Sequence, residues 1–341
     1  MLRLVDANLN RMNEGLRVLE DIARFLLNDA ATSARLKALR HELSIDDTLL
    51  KTALLDARDS ARDVGAHAEP DSEPQRQDVT SIIAANASRV EESLRVLEEF
   101  AKLPQAMLES ERFKKARFAV YEIGRELTGR ILRRAKRVTG LYLVMDAEAL
   151  RGRDEVEIAE KAIRGGTRVL QLRDKRRNTR DILSRARQLK ALCALHDVVF
   201  IVNDYLDIVV ASDADGLHVG QDDLPVPTAR QLLPISTIIG CTTRAPEAAL
   251  QAQSEGADYI AVGSIFPTAS KTDTRVVGLD TLRCIRQAVS LPIVAIGGID
   301  ASNAREVLAA GADSVAVVSA VLGAPDVEDA TRRLVEIIGS K

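Results

Sequence analysis

The sequence predicts an α/β fold: a (β/α)8 TIM barrel over residues 138–341, preceded by an all-α helical bundle over residues 1–135. Three observations predict it. Up to about Arg137, Leu, Ala, Arg and Glu recur at helical spacing, with no alternating or β-branched run that reads as a strand. From Leu141 onward, eight short β-rich apolar runs alternate with helical segments. Polar and small residues then collect at the carboxyl ends of those runs, the face on which such barrels build their sites.

The helical half is organised by a duplication. At an offset of 78 residues, Asn8, Arg11, Glu14, Leu16, Arg17, Val18, Leu19 and Glu20 match Asn86, Arg89, Glu92, Leu94, Arg95, Val96, Leu97 and Glu98. With the offset changed by one, Lys37 and Arg40 match Lys114 and Arg117. The copies cover about 3–43 and 81–124, each contributes a helical pair, and the polar stretch Ala66 to Asp78, with Pro70 and Pro74, reads as the loop between them. A four-helix bundle is expected. The repeated polar residues admit two readings. One is a set of i,i+3 ion pairs, each contributing about 0.2–0.5 kcal/mol. The other gathers Arg11, Arg17, Arg89 and Arg95 around a pseudo-twofold centre as an anion site for a phosphate. The duplication kept the polar residues as faithfully as the leucines, whereas a solvated face tolerates free substitution.

The strand runs begin at Leu141, Val169, Val198, Gly216, Ile238, Tyr259, Ile293 and Ser314. They are continuously apolar, as strands buried on both faces must be, and eight βα units fill a closed parallel barrel better than an open sheet. Gln171, Arg173 and Lys175 share the period of two that turns alternate side chains the same way, here into the barrel mouth. Asn203 and Asp204 end the third run; His218, Gln221, Asp222 and Asp223 follow in and after the fourth. Asp204 and one of the later aspartates suit a shared Mg2+, which takes one or two protein carboxylates and completes its shell with water and phosphate oxygens. For His218, a satisfied core histidine and a substrate contact stand level. The sixth run closes on Thr268, Ser270 and Lys271, offering hydroxyls and an ammonium group. The seventh and eighth end in Gly297, Gly298, Val318 and Ser319, where small residues let backbone N–H groups approach a phosphate. Two anion sites are therefore expected, one for a metal-bound diphosphate and one for a monophosphate. The polar segment from Thr268 to Gly278 is expected to close as a lid.

Composition sets the limits. The chain has 341 residues, 46% hydrophobic and 28% charged, with a formal net charge of -3. That is too apolar for disorder and too balanced for a nucleic-acid footprint or an anionic membrane partner. Cys193, Cys241 and Cys284 have no paired spacing, which argues against a disulfide framework or a structural zinc site. Neither a leader nor an anchor is expected, and the chain is placed in the cytoplasm. Homo-oligomerisation stays open.

Taken together, QLRDK from Gln171, ND at Asn203, GLHVGQDDLP from Gly216, IIGCTT from Ile238, FPTASK from Phe266, AIGGI from Ala295 and VAVVSA from Val315 resemble thiamine phosphate synthases over essentially all of 138–341. The resemblance implies a transferase that joins hydroxymethylpyrimidine diphosphate to a (carboxy)thiazole phosphate, with one Mg2+ per site and release of pyrophosphate. It makes Lys271, Arg173 and Thr242 the catalytic set and puts Gln171, Lys175, Asn203 and His218 at the pyrimidine diphosphate. It also puts Thr268, Ser270, Gly298, Val318 and Ser319 at the thiazole phosphate and makes Asp204 and Asp223 the metal ligands. Thr242 and Ser270 stand where serine and threonine are usual, and both keep a hydroxyl. The helical extension is similar to the domain fused to some of these enzymes as a proposed hydroxymethylpyrimidine phosphate kinase. An oligomerisation or channelling module is the rival reading, since no G-x-x-x-x-G-K-[ST] loop is present. For the barrel, the rivals are a thiazole tautomerase and a thiamine phosphate sensor.

Overall fold

The computed structural model describes residues 1–58, 75–104, 108–268 and 275–339. The chain divides into two compact units, Met1–Leu132 and Arg133–Lys341.

In the helical unit, α1 (Leu2–Asp21) runs through a π-helical turn at Ile22–Leu26 and is followed by α2 (Ala30–Glu42), α3 (Thr48–Asp56), α4 (Val79–Phe100) and α5 (Ser110–Ala135). Three of the starts are chemically marked. The Asp29 carboxylate accepts from Thr32 N, Asp47 accepts from the N–H groups of Leu49 and Leu50, and Asp78 forms a capping box with Ser81. The core is one cluster of apolar side chains around Met12, Leu16, Leu19, Leu36, Ile83, Leu94, Leu97 and Phe113, all fully buried. Truncating one such leucine costs about 2–5 kcal/mol. Helices α1 and α4 meet at Gly15, where a β-carbon would stand 2.5 Å from Val90 Cγ2.

The duplication is visible as repeated chemistry. Asn8 and Asn86 each donate from Nδ2 to the carbonyl four residues back, both at 2.9 Å. Glu20 pairs with Arg40 at 2.8 Å and Glu98 with Arg117 at 3.1 Å, so in each copy a buried carboxylate on the first helix meets an arginine on the next. Helix α3 departs from the expected four helices. It belongs to neither copy, and it forms because Asp47 caps a segment whose Leu50 and Leu54 reach the core. Of the expected inter-copy loop, Ala66 to Asp78, residues 66–74 lie outside the described residues; Gln75–Arg76–Gln77 is irregular, ahead of the Asp78 cap.

The barrel unit closes all eight parallel strands in chain order: β1 (Gly140–Asp146), β2 (Val169–Arg173), β3 (Val199–Asn203), β4 (Gly216–Val219), β5 (Ile238–Thr243), β6 (Tyr259–Val262), β7 (Ile293–Ile296) and β8 (Ser314–Val317). Strand β8 returns to pair with β1, so no edge is left open. Alternation sorts the side chains. Leu141, Leu143, Leu170, Leu172, Phe200, Leu217, Ile239 and Ile260 pack outward under the helices, while Tyr142, Val144, Val169, Ile201, Tyr259, Val294 and Ala316 fill the interior. The carboxyl-terminal end of that interior carries the polar residues.

Candidate active site

Strands β1 to β4 supply the charge. Gln171 and Arg173 lie on the inward side of β2, and Lys175 follows in the loop. Arg173 is ion-paired with Asp146 at the end of β1, a partner that the sequence reading did not assign. The loop carrying Lys175 is tied down from behind. Asp174, 3% exposed, accepts from the N–H groups of Arg176 and Arg177, and the Arg177 guanidinium joins it to buried Glu155 at 2.8 Å. Lys175 Nζ in turn stands 3.2 Å from Asp204 Oδ2.

Asp204 sits at φ +65°, a left-handed conformation that aspartate tolerates better than most side chains, and its N–H donates to the His218 carbonyl of the neighbouring strand. Asp223 Oδ2 accepts from Gly220 N at 2.7 Å. The two carboxyl groups are close enough to act on each other's protonation. Burial, and then the neighbouring Asp223, raise the pKa of Asp204. Burial acts upward on Asp223 too, but the Gly220 N–H, Asp204, Lys175 and His218 together bring it below the usual carboxylate value. Two partly desolvated neighbouring carboxylates suit a hard divalent cation, which takes oxygen ligands and would offset their mutual repulsion. Among the described residues no group of three or more His, Cys, Asp or Glu side chains could hold a metal, so any ion here needs non-protein oxygens as well. Asp222, between Gln221 and Asp223, is exposed.

Below this charged rim lies a hydrogen-bonded series that sequence reasoning missed. His218 Nε2 is 2.8 Å from Thr242 Oγ1, His218 Nδ1 is 2.8 Å from the Tyr259 hydroxyl, and that hydroxyl is 3.0 Å from Tyr142 OH. Burial raises the pKa of both phenols, so they stay protonated. The Tyr259 ring fits because position 240 is glycine: a β-carbon there would lie 1.9 Å from Tyr259 Cζ. The available signal was two tyrosines at inward positions of their strands, since a buried phenol needs a partner for its hydroxyl. Each ring nitrogen of His218 has a partner, as expected of a satisfied core histidine, and the residue lines the cavity.

Strands β6 to β8 contribute backbone rather than charge. Gly297 and Gly298 have φ of +102° and +65°, and β-carbons there would lie 2.1 Å from Ser264 Oγ and 2.5 Å from the Pro267 carbonyl oxygen. Both positions require glycine. Asn303 Nδ2 donates to the Gly298 carbonyl at 2.9 Å and fixes the turn. Thr268, Gly298, Val318 and Ser319 line the same cavity as Gln171, Arg173, Lys175, Asn203, Asp204, His218, Asp223 and Thr242. Ser270 and Lys271, with the rest of 269–274 in the expected lid, lie outside the described residues. The four N-terminal arginines, Arg11, Arg17, Arg89 and Arg95, are all exposed on α1 and α4; Arg95 pairs with Glu98 and Glu99, both at 2.8 Å.

A closed parallel barrel with cations, acidic side chains and a glycine turn meeting at its carboxyl-terminal mouth defines a (β/α)8-barrel enzyme whose chemistry lies at the strand ends. Comparison with known proteins narrows the class. The thiamine monophosphate synthase family matches residues 141–321, and the ThiD2 family matches residues 3–126. The thiamine-phosphate synthase of Thermosynechococcus vestitus is 42% identical over 97% of this chain and 93% of its own length. That of Methanospirillum hungatei is 46% identical over 58% of this chain and 97% of its own. The solved thiamine phosphate pyrophosphorylase of Pyrococcus furiosus superposes with a TM-score of 0.56 at 41% identity, covering 60% of this chain and 98% of that one. The chain belongs to the thiamine-phosphate synthase family, a family of transferases. No helix among the described residues is long and apolar enough to cross a membrane.

Proposed function

We propose that the barrel joins 4-amino-2-methyl-5-hydroxymethylpyrimidine diphosphate to a thiazole phosphate and releases pyrophosphate. The observation that carries this reading is one cavity with two anion-handling ends: Arg173, Lys175 and the Asp204–Asp223 pair on one side, the Gly297–Gly298 turn with Val318 and Ser319 on the other. Gln171 and Asn203 hold the pyrimidine; the buried Gln171 Nε2 has no hydrogen-bond partner among the described residues and is free to donate to it. Asp204 and Asp223 would hold one Mg2+, which supplies positive charge to the departing diphosphate when bound. Arg173, Lys175 and Lys271 add fixed positive charge around the same oxygens, and Thr242 and His218 bound the cavity beneath the ring.

The reaction needs no protein nucleophile. The bond between the pyrimidine methylene and the diphosphate oxygen breaks with both electrons leaving on oxygen, and the electron-rich aminopyrimidine spreads the positive charge left behind. The thiazole ring nitrogen then gives its lone pair to the methylene. Thr268, Ser270, Gly298, Val318 and Ser319 hold the thiazole phosphate so that this nitrogen faces the methylene, which replaces a chance encounter by a fixed one. Pyrophosphate release by the purified chain tests the reading. It should require both substrates and Mg2+ together. Conversion of the thiazole partner without pyrophosphate would instead identify a tautomerase, and tight product binding without turnover a sensor.

For the helical unit we infer a pyrimidine phosphate kinase, supported by the ThiD2 family match, with Arg11, Arg17, Arg89 and Arg95 contacting phosphate. The full chain, given ATP and the pyrimidine monophosphate, should form ADP. Oligomer formation with no ADP would favour an assembly or channelling module.

A further inference from the structure

We propose that Arg244 is a further binding residue for the pyrimidine diphosphate: its guanidinium reaches the diphosphate from the flank of the acidic pair opposite Arg173 and Lys175. This rests on the synthase reading above. Alternation along β5 places the residue. Thr242 lines the cavity, and Arg244, two positions on and just beyond the strand end, lines it again. The backbone beneath the side chain is held at both ends. Strand β5 stops at Thr243, the next helix begins at Pro246, and Ala245 between them is extended at φ -147° and ψ 151°, the conformation a residue before proline prefers. The Arg244 side chain is exposed, and among the described residues it forms no hydrogen bond or ion pair.

The other cations that line the described cavity are Arg173 and Lys175, and both are already committed. Arg173 is ion-paired with Asp146, and Lys175 Nζ stands 3.2 Å from Asp204 Oδ2. Their charge is answered by carboxylates before any ligand arrives, whereas the charge of Arg244 is not. With Asp223 added to those acids, the described lining without Arg244 holds more acids than cations, a poor wall for an anion. Arg244 restores the balance.

Strand order decides which anion it serves. Strands β2, β3, β4 and β5 are consecutive neighbours in the barrel, so Asp204 after β3 and Asp223 after β4 are flanked by cations on both sides. Arg173 and Lys175 come from β2, and Arg244 comes from β5. The diphosphate end of the cavity is centred on those two acids, so a guanidinium on the second flank holds the group from another direction. The thiazole phosphate end, on β6 to β8, offers backbone and hydroxyl groups, which match a monoester of lower charge. A guanidinium also presents a planar fork of N–H donors that fits two oxygens of one phosphate, which a lysine in its place would not.

The test titrates inorganic pyrophosphate into the full-length protein by calorimetry in the presence of Mg2+. Arg244→Met should weaken pyrophosphate binding about ten- to thirtyfold, the scale of a charge-assisted hydrogen bond. Arg244→Lys keeps the charge and loses the fork, and should stay within about fivefold of the parent. The KM for the pyrimidine diphosphate should rise with the loss in Arg244→Met, while the KM for thiazole phosphate stays within about twofold. Because the substitution orphans no partner among the described residues, the melting temperature should move by less than about 2 °C. Pyrophosphate affinity within about twofold of the parent in Arg244→Met overturns the proposal. A loss confined to thiazole phosphate overturns it too, since the guanidinium would then serve the other end of the cavity. Pyrophosphate binding is read without turnover, so a parent that binds it through Arg244 yet releases none from the two substrates would sink the synthase reading and leave the diphosphate contact standing.

Discussion

Replacing Gly298 with alanine should weaken the thiazole phosphate end of the site far more than the diphosphate end. At φ +65° an alanine pays about 1–2 kcal/mol for the left-handed backbone. Its β-carbon would also start 2.5 Å from the Pro267 carbonyl oxygen and 2.8 Å from Phe266 Cβ. The first of these is backbone, so relief must come from moving one chain segment against the other by roughly 0.5–1 Å to restore ordinary contact near 3.5 Å. Asn303 opposes that movement through its bond to the Gly298 carbonyl. A displacement of about 1 Å at a positioning group costs on the order of a hundredfold in rate. We therefore expect kcat/KM for thiazole phosphate to fall about 30- to 100-fold, KM for the pyrimidine diphosphate to change less than about threefold, and the barrel melting temperature to drop by roughly 2–8 °C. Steady-state kinetics varying each substrate in turn, with a melting curve, read all three. If kcat/KM for thiazole phosphate stays within threefold of the parent, the glycine turn is not the phosphate cradle.

Asp204→Ala and Lys271→Ala should each lower turnover at least about a hundredfold; losses under fivefold in both would remove them from the reaction. Chelation should abolish pyrophosphate release and added Mg2+ restore it, with Asp223→Asn needing more Mg2+ for half-maximal rate than the parent. In the helical unit, Arg40→Met should cost about 3–5 kcal/mol by leaving Glu20 buried and unpaired. Arg117→Met should cost less, because Arg95 still stands 2.8 Å from Glu98; urea denaturation giving the opposite order would refute this. Burial pushes the Cys193 thiol up to about 12 and the Cys241 thiol up to about 11, whereas Cys284 is exposed. Thiolate is the reactive form, so a maleimide at neutral pH should label one site per native chain, at Cys284, and fast labelling of Cys193 would contradict the burial.

The barrel was legible because its physics is local. A strand buried on both faces must be an apolar run, and eight such runs, with Gln171 and Arg173 two apart, announce both the sheet and the side on which the site lies. The duplicated helices were legible for the same reason. What stayed hidden was the choice of partner across the fold. Glu20 and Arg40 were both marked by the repeat, yet nothing in their spacing says that they pair with each other rather than along one helix. Asp146 closes on Arg173 only because β1 and β2 are in register there. Tyr142 and Tyr259 are far apart in sequence and become one device only when the barrel closes. Helix α3 escaped because a short apolar stretch after Asp47 has no repeat to flag it.

The void at position 240 also constrains how this barrel can vary. The ring that fills it comes from the adjacent strand, so the pair behaves as one volume shared between two residues. An alanine at 240 demands something smaller than tyrosine at 259, and any such exchange removes the hydroxyl that His218 uses. Gly240→Ala combined with Tyr259→Leu would refill the space without the phenol, and so would separate what this barrel needs for shape from what it needs for polarity.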